Sequence, residues 1–320
     1  MRSVCRDRGD CSVLKSRNHY DVTTYRVKYS DGWWFEIGTD PKVVEMQTAP
    51  STLEELERHR DRIQTDIFGS AEKAGLQDAS KIFGSGWAGG HIHVGASSAL
   101  DGDARLFRNF LVDSANHAEL GAGIFSNDWS NAPPIAALPE KNQANFLKIV
   151  QDFDQDKIRG IKALAQKISS EVYDTTVDKK IAPPQKYQAF NVTRIVNGEF
   201  GEKEQTIEIR AMRPQASADE FIDETRLIQM RLEFLRAHPD PIPVKLVNPR
   251  TLNNSEIVTR FYKYVVETGL PFEPYAKYLN LTQLLALQGI AQAHPESLDV
   301  TRCVLDGIRP LNGPAPVSIH

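Results

Sequence analysis

Two imidazoles open the chemical reading of this chain. His91 and His93 stand in "GGHIHVG", among Gly89, Gly90 and Gly95. In an extended segment residues i and i+2 face the same way. Both histidines therefore project together, and Ile92 and Val94 point to the other side. The glycines let the backbone bend or approach a ligand closely. The same alternation recurs with charged groups. "VVEMQTAP" sets Glu45 and Gln47 against Val44 and Met46, and "TIEIRAMRP" sets Glu208 and Arg210 against Ile207 and Ile209. "FEIGTD" holds Glu36 between Phe35 and Ile37. If these faces coincide, Glu36, Glu45, His91, His93, Glu208 and Arg210 share one open surface. Carboxylates with one imidazole suit Mg²⁺ or Mn²⁺. A guanidinium and a second imidazole hold phosphate. Divalent ions bridging a nucleotide's phosphates polarise the γ-phosphoryl group for attack. The chain has no GxxxxGK[ST] loop, so a triphosphate would lie on a sheet face.

The elements that must position these groups follow from periodicity. "TYRVKYSDGWWFEIGTDPKVVEMQTAP" reads as strands joined by turns at "SDG" and "DPK". Trp33 and Trp34 point to opposite faces of one strand, so one of them belongs to the core. Ser51 and Glu54 have capping-box spacing. Leu53, Leu56, Ile63, Ile67, Ala71 and Ala74 then form a helical stripe that Gly75 ends. A second helix is expected from Asp103 to about 121, and a long one over about 142–170. Between them "SNDWSNAPPIAALPEKNQ" is a loop by composition, with Asp128 and Trp129 as candidate substrate contacts. His117 and Glu119 read as surface or packing residues. "QKYQAFNVTRIVNG" and "KEQTIEIRAMRP" read as two further strands, followed by a helix over about 217–237. After the Pro-rich "HPDPIPVKLVNP" the chain is mainly helical. No internal repeat or low-complexity tract stands out.

Strands that follow one another without regular helical crossovers imply α+β: a largely antiparallel open sheet, helices on one face and the site on the other. The expected organisation is an irregular segment over 1–20, a catalytic domain over 21–240 and a helical extension over 241–320 packed on the same domain. A net charge of -4 with 25% charged residues argues against nucleic acid as a partner. No apolar run has membrane-spanning length, and the first residues lack the apolar core of a secretory signal. Only Cys5, Cys11 and Cys303 occur. So sparse a set fits a reducing, cytoplasmic setting. Cys5 and Cys11 are free to pair or to bind metal, but no nearby histidine or second pair completes a zinc site. Nothing here fixes the oligomeric state.

Taken together, "GSGWAGGHIHVG", "VVEMQTAP" and "YQAFNVTRI…TIEIRAMRP" resemble the glutamine synthetase and glutamate–cysteine ligase superfamily, more narrowly its amidoligase branch. The resemblance covers roughly residues 20–237. It implies a glutamine synthetase-like sheet, ATP and Mg²⁺ (or Mn²⁺) as cofactors, and a substrate, small molecule or peptide, that carries a carboxylate and an amine. The carboxylate would take the γ-phosphoryl group, and an amine would displace phosphate from the acyl phosphate. By motif, Glu45, His91 and Glu208 would be metal ligands, and His93 would approach the phosphates. Arg210 would stabilise the transferring phosphoryl charge beside Glu208. Asn191 would place nucleotide or substrate, and Arg194 and Arg213 would hold a carboxylate or phosphate. The family's E-x-E strand has no counterpart here. Glu36 and Asp40 are the nearest acidic residues to complete the metal set. A nucleotide-binding member without catalysis, or a phosphotransferase on the same sheet, are the competing expectations.

Overall fold

The computed structural model describes residue 5 and residues 9–17, 22–40, 43–77, 89–120, 132–173, 187–198 and 205–279, with positions 283, 285, 286 and 289. The expected substrate contacts Asp128 and Trp129 lie outside the described residues. The chain divides into two units, Met1–Ala88 with Pro214–Arg226, and Gly89–Arg213 with Leu227–His320. Among the described residues no helix is long and apolar enough to cross a membrane.

In the first unit, alternation builds a four-stranded antiparallel sheet in the order β1 (Cys11–Arg17), β2 (Thr23–Tyr29), β3 (Trp34–Asp40) and β4 (Val43–Thr48). Val27 and Phe35 pair across β2 and β3 and are fully buried. They pack with Leu56, Ile63, Ile67 and Ile222, so helices cover one face. Trp33 is the buried member of its pair. Trp34 is half-buried, with the Arg26 guanidinium 3.9 Å from its ring. The segment expected to be irregular thus carries β1, whose register runs from Cys11 opposite Tyr29 to Arg17 opposite Thr23. β1 is an edge strand with mostly exposed side chains. Main-chain pairing with β2 holds it, and only Cys11 and Val13 pack against the core, too short a pattern to mark a strand. Cys5 and Cys11 form a disulfide, a departure from a fully reduced cysteine set.

The following helix begins one residue later than its spacing suggested. Thr52 and Glu55 form the capping box of α1 (Leu53–Arg58). Ser51 instead donates to the Ala49 carbonyl at 2.9 Å and accepts from the Trp33 indole at 3.3 Å. The helical path continues through Arg60–Arg62, a π-helical turn at Ile63–Phe68 and Gly69–Lys73. Gly75 then turns with φ at +70°.

In the second unit β5 (Gly90–Gly95), β6 (Phe190–Asn191) and β7 (Thr206–Met212) form a separate antiparallel sheet in the order β5-β7-β6. The chain is α+β with antiparallel sheets, as expected, but its described strands make two sheets where one was expected. Alternation fixes which way a side chain faces, not which strand lies beside it. "QKYQAFNVTRIVNG" also departs from expectation: only Phe190–Asn191 pair as strand, and a short helix, α5 (Thr193–Asn197), follows at once. Of the helices before it, α2 (Ala104–Asn116) is capped by Asp103, whose carboxylate accepts from the Arg105 and Leu106 amides. Phe107 and Phe110 of α2 pack against Phe190 on the apolar face of the sheet. The single long helix expected over 142–170 is broken into α3 (Glu140–Asp154) and α4 (Ile161–Lys167), because Asp156 and Gly160 adopt positive φ. α6 (Ala218–Ala237) and α7 (Asn254–Thr268) come next. α8 (Glu273–Ala276) then joins a core containing Leu227, Val258, Phe261, Tyr264 and Tyr275.

A buried ion pair ties α6 to α2. Arg231 Nε donates to Asp113 Oδ2 at 2.7 Å, and the Tyr264 hydroxyl donates to the same oxygen at 3.3 Å. Both charged side chains are almost wholly buried. Removing one partner of such a pair strands the other charge and typically costs about 3–5 kcal/mol. Arg231→Met is expected to lower unfolding free energy by about 3 kcal/mol or more on this basis. Urea titration checks it, and a loss below about 1 kcal/mol would show that the pair is not a structural keystone.

Candidate functional site

The polar face of the second sheet is set by its register. His93 lies opposite Glu208, and Asn191 lies opposite Glu208 on the other flank of β7. Ile92 pairs with Ile209 and Val94 with Ile207, so apolar residues occupy the reverse face. The register shifts between Gly90 and Ile92. β7 has one more residue than β5 across that interval, which marks a β-bulge beside His91. A Cβ added at Gly89 would come within 3.0 Å of the Met212 carbonyl. At this position a glycine is required by close backbone approach.

Glu208 is the hub. Asn191 Nδ2 donates to its Oε2 at 2.6 Å, and Arg210 Nη1 donates to its Oε1 at 2.6 Å. His91 Nδ1 lies 3.2 Å and His93 Nε2 3.9 Å from the same Oε1. His93 Nδ1 is 3.1 Å from the Thr206 hydroxyl. Asn191 is itself fixed, since its Oδ1 accepts from the amide and the hydroxyl of Thr193 at 2.9 and 2.8 Å. The Arg210 guanidinium lies 5.4 Å from the Tyr187 ring, and among the described residues its buried Nε meets no hydrogen-bond partner.

Electrostatics follow from depth and from the guanidinium. Burial, with Arg210 next and against the pull of Glu208, pushes the His91 imidazole down to about 4. Burial likewise pushes His93 down to about 4, against the pull of Glu208 and with smaller contributions from Arg194 and Arg210. Burial works against the Glu208 carboxylate, yet Arg210, the two imidazoles and the Asn191 amide hold it below the usual range. At neutral pH the imidazoles are uncharged, so Arg210 and Asn191 are what keep Glu208 ionised. Arg210 and Glu208 then form a charge-balanced pair at the centre of the cluster, and Arg194 acts on both imidazoles.

The structure thus brings together His91, His93, Asn191, Glu208 and Arg210, with Arg194 near enough to act on both imidazoles. Arg213 lies one residue beyond β7 and is half-buried. Glu36, Asp40 and Glu45 belong to the other sheet. Glu36 pairs with Arg26 at 2.9 Å and faces Gln47, while Glu45 is exposed opposite Gly38. Asp40 ends β3, opposite Val43. Among the described residues, no group of three or more His, Cys, Asp or Glu is placed to hold a metal ion. Sequence reasoning missed Thr206 and Tyr187. Thr206 shares the parity of Glu208 along one strand, a signal that was available; Tyr187 carried none. Of the two roles expected for Glu119, surface or packing, the structure shows packing: it is fully buried, 2.9 Å from Arg260 Nε and 3.4 Å from His117 Nδ1.

The histidines give the site a pH signature. Their folded affinity for protons is below the ordinary value of 6.5. As pH falls, the unfolded chain therefore binds protons first. Stability from this source is flat above about 6.5 and is lost between about 6.5 and 4. In His91→Gln/His93→Gln the decline over this window should be shallower than in the wild type. Urea midpoints at pH 7, 5.5 and 4.5 check this, and parallel curves would sink it. Compared with protein-family models, with curated proteins and with solved structures, the chain has no match.

Proposed function

We propose that this chain is an ATP- and Mg²⁺-dependent carboxylate–amine ligase, an amidoligase that forms an amide or isopeptide bond through an acyl phosphate. A substrate carboxylate oxygen attacks the γ-phosphorus and ADP leaves. The amine then attacks the acyl carbon, inorganic phosphate leaves, and the amine loses a proton. The observation that carries this reading is the convergence of Arg210, Asn191 and His91 on the buried Glu208 carboxylate, with His93 beside it. Such preorganised charge is what stabilises a transferring phosphoryl group.

The donor set bears on the metal. It offers one carboxylate and two neutral imidazoles, which is too little for a protein cage. It does fit an ion that keeps its waters and arrives on substrate phosphates, with Glu208 and His91 as its protein ligands. When bound, such an ion draws charge from the phosphates. Arg210 holds the transferring group through the guanidinium donors that Glu208 does not take. Asn191 keeps Glu208 from rotating, and Thr206 fixes the orientation of His93. Glu36, Asp40 and Glu45 are given no role.

One observation favours a second reading, a ligand-binding protein without catalysis: both oxygens of Glu208 are occupied by the chain's own donors. A single assay separates the two. The protein is incubated with ATP, Mg²⁺ and pooled amino acids, and ADP and phosphate are followed. Amine-dependent ADP release is expected. Removing one preorganised donor typically costs about 10²–10³ in rate, and Arg210→Ala should lose at least that much. ATP binding by calorimetry without turnover would favour the second reading. Turnover unaffected by Arg210→Ala and Glu208→Ala would remove the proposed site, and phosphoryl transfer with no amide product would replace the ligase by a phosphotransferase.

A further inference from the structure

Helix α2 carries a ladder that grips an extended strap of the same chain. The strap, residues 239–246, follows α6 as "PDPIPVKL". Asn109 Nδ2 donates to the Asp240 carbonyl at 3.0 Å and to the Pro239 carbonyl at 3.4 Å. The Ile242 amide donates back to Asn109 Oδ1 at 3.4 Å. Two helical turns on, Asn116 repeats the grip: its Nδ2 donates to the Pro243 carbonyl at 2.9 Å, and the Lys245 amide donates to its Oδ1 at 2.6 Å. Arg108 Nη1 adds a bond to the Ile242 carbonyl at 2.7 Å, and Asp154 holds the guanidinium. Every one of these bonds reads main chain. Along the strap, Pro241, Pro243 and Lys245 are exposed, while Ile242, Val244 and Leu246 are half-buried.

The requirements of this groove can be stated as a pattern. Amide donors are needed at 242 and 245, where proline is forbidden. Prolines at 241 and 243 sit where no donor is used, and they pre-set the backbone in an extended form. Small or branched apolar side chains are needed at 242, 244 and 246. "PIPVKL" at 241–246 meets this, and so does "PAPVSI" at Pro314–Ile319. Aligned on that pattern by sequence, Ala315 and Ser318 match the amide positions, Pro314 and Pro316 the proline positions, and Ala315, Val317 and Ile319 the apolar ones. The 24 residues between Gly289 and Pro314 span at most about 80 Å, several times the radius of a domain of this size.

We propose that the Asn109–Asn116 groove on α2 is a docking site for residues 314–319 of the same chain, which compete there with the resident strap. Binding 314–319 releases 239–246, the connection between α6 and α7.

Hydrogen exchange on the full chain tests this. The strap is weakened by Ile242→Asp, and far-UV circular dichroism confirms retained helix content. The Ala315 and Ser318 amides should then gain about tenfold protection, and adding Asn109→Ala and Asn116→Ala should abolish the gain. No gain, or a gain that survives both asparagine substitutions, overturns the proposal. Should Ile242→Asp unfold the protein, Val317→Asp in the otherwise natural chain replaces it. The Ile242 and Lys245 amides should then exchange about twofold or more slowly than in the wild type, because the competitor is lost; equal rates overturn the proposal. Protection that rises with protein concentration, together with a dimer mass by light scattering, would assign the occupant to a second copy and overturn docking within one chain.

Discussion

A carboxylate buried on the central strand of a sheet is tolerated only if its charge is answered. Glu208 stands at that position in the order β5-β7-β6. Its side chain is about 10% exposed, so water solvates little of it. An unpaired buried charge costs several kcal/mol or reverts to its neutral form. The arrangement around it is the consequence. Arg210 on the same strand supplies the counter-charge, and Asn191 on the neighbouring strand supplies a second donor. Thr193, at the start of α5, locks Asn191 in turn. The short β6 and the immediate turn into α5 are thus a means of aiming one amide.

The imidazoles are governed by the same depth with the opposite sign. Burial and the guanidiniums keep His91 and His93 neutral through the physiological range. A neutral imidazole offers one lone pair and one proton. The contact of His93 Nδ1 with Thr206, and of His91 Nδ1 with Glu208, ties up one nitrogen of each ring. The formal charge at the centre then rests on Arg210 and Glu208, which balance each other.

Much of this was legible in the sequence, and the failures have physical causes. Period-2 alternation placed His91 with His93 and Glu208 with Arg210 correctly, because it reports on faces. It could not report on partners, so strands of two sheets were read as one. The bulge beside His91 leaves no mark in composition. The capping box moved from Ser51 to Thr52 because Ser51 is engaged by Trp33, a contact between residues far apart in sequence. The break between α3 and α4 had a local sign in Gly160, which the surrounding helical spacing outweighed. β1 was missed since an exposed edge strand need not alternate.

The contrast between Glu36 and Glu208 shows what alternation leaves out. Each is a glutamate between two apolar residues on a strand, and each has an arginine partner. Arg26 is about 40% exposed, and it is shared with the Trp34 ring. Glu36 is itself only 14% exposed and also lies on a strand flanked on both sides, so the two carboxylates are shielded to a similar degree. What differs is the counter-charge. Arg26 keeps 40% of its side chain in water, where a pair contributes about 0–1 kcal/mol, whereas Arg210 is 13% exposed and its charge is little screened. The same sequence pattern is therefore a pair with a solvated guanidinium in one sheet and a preorganised charge in the other, and alternation does not report how deep the partner lies.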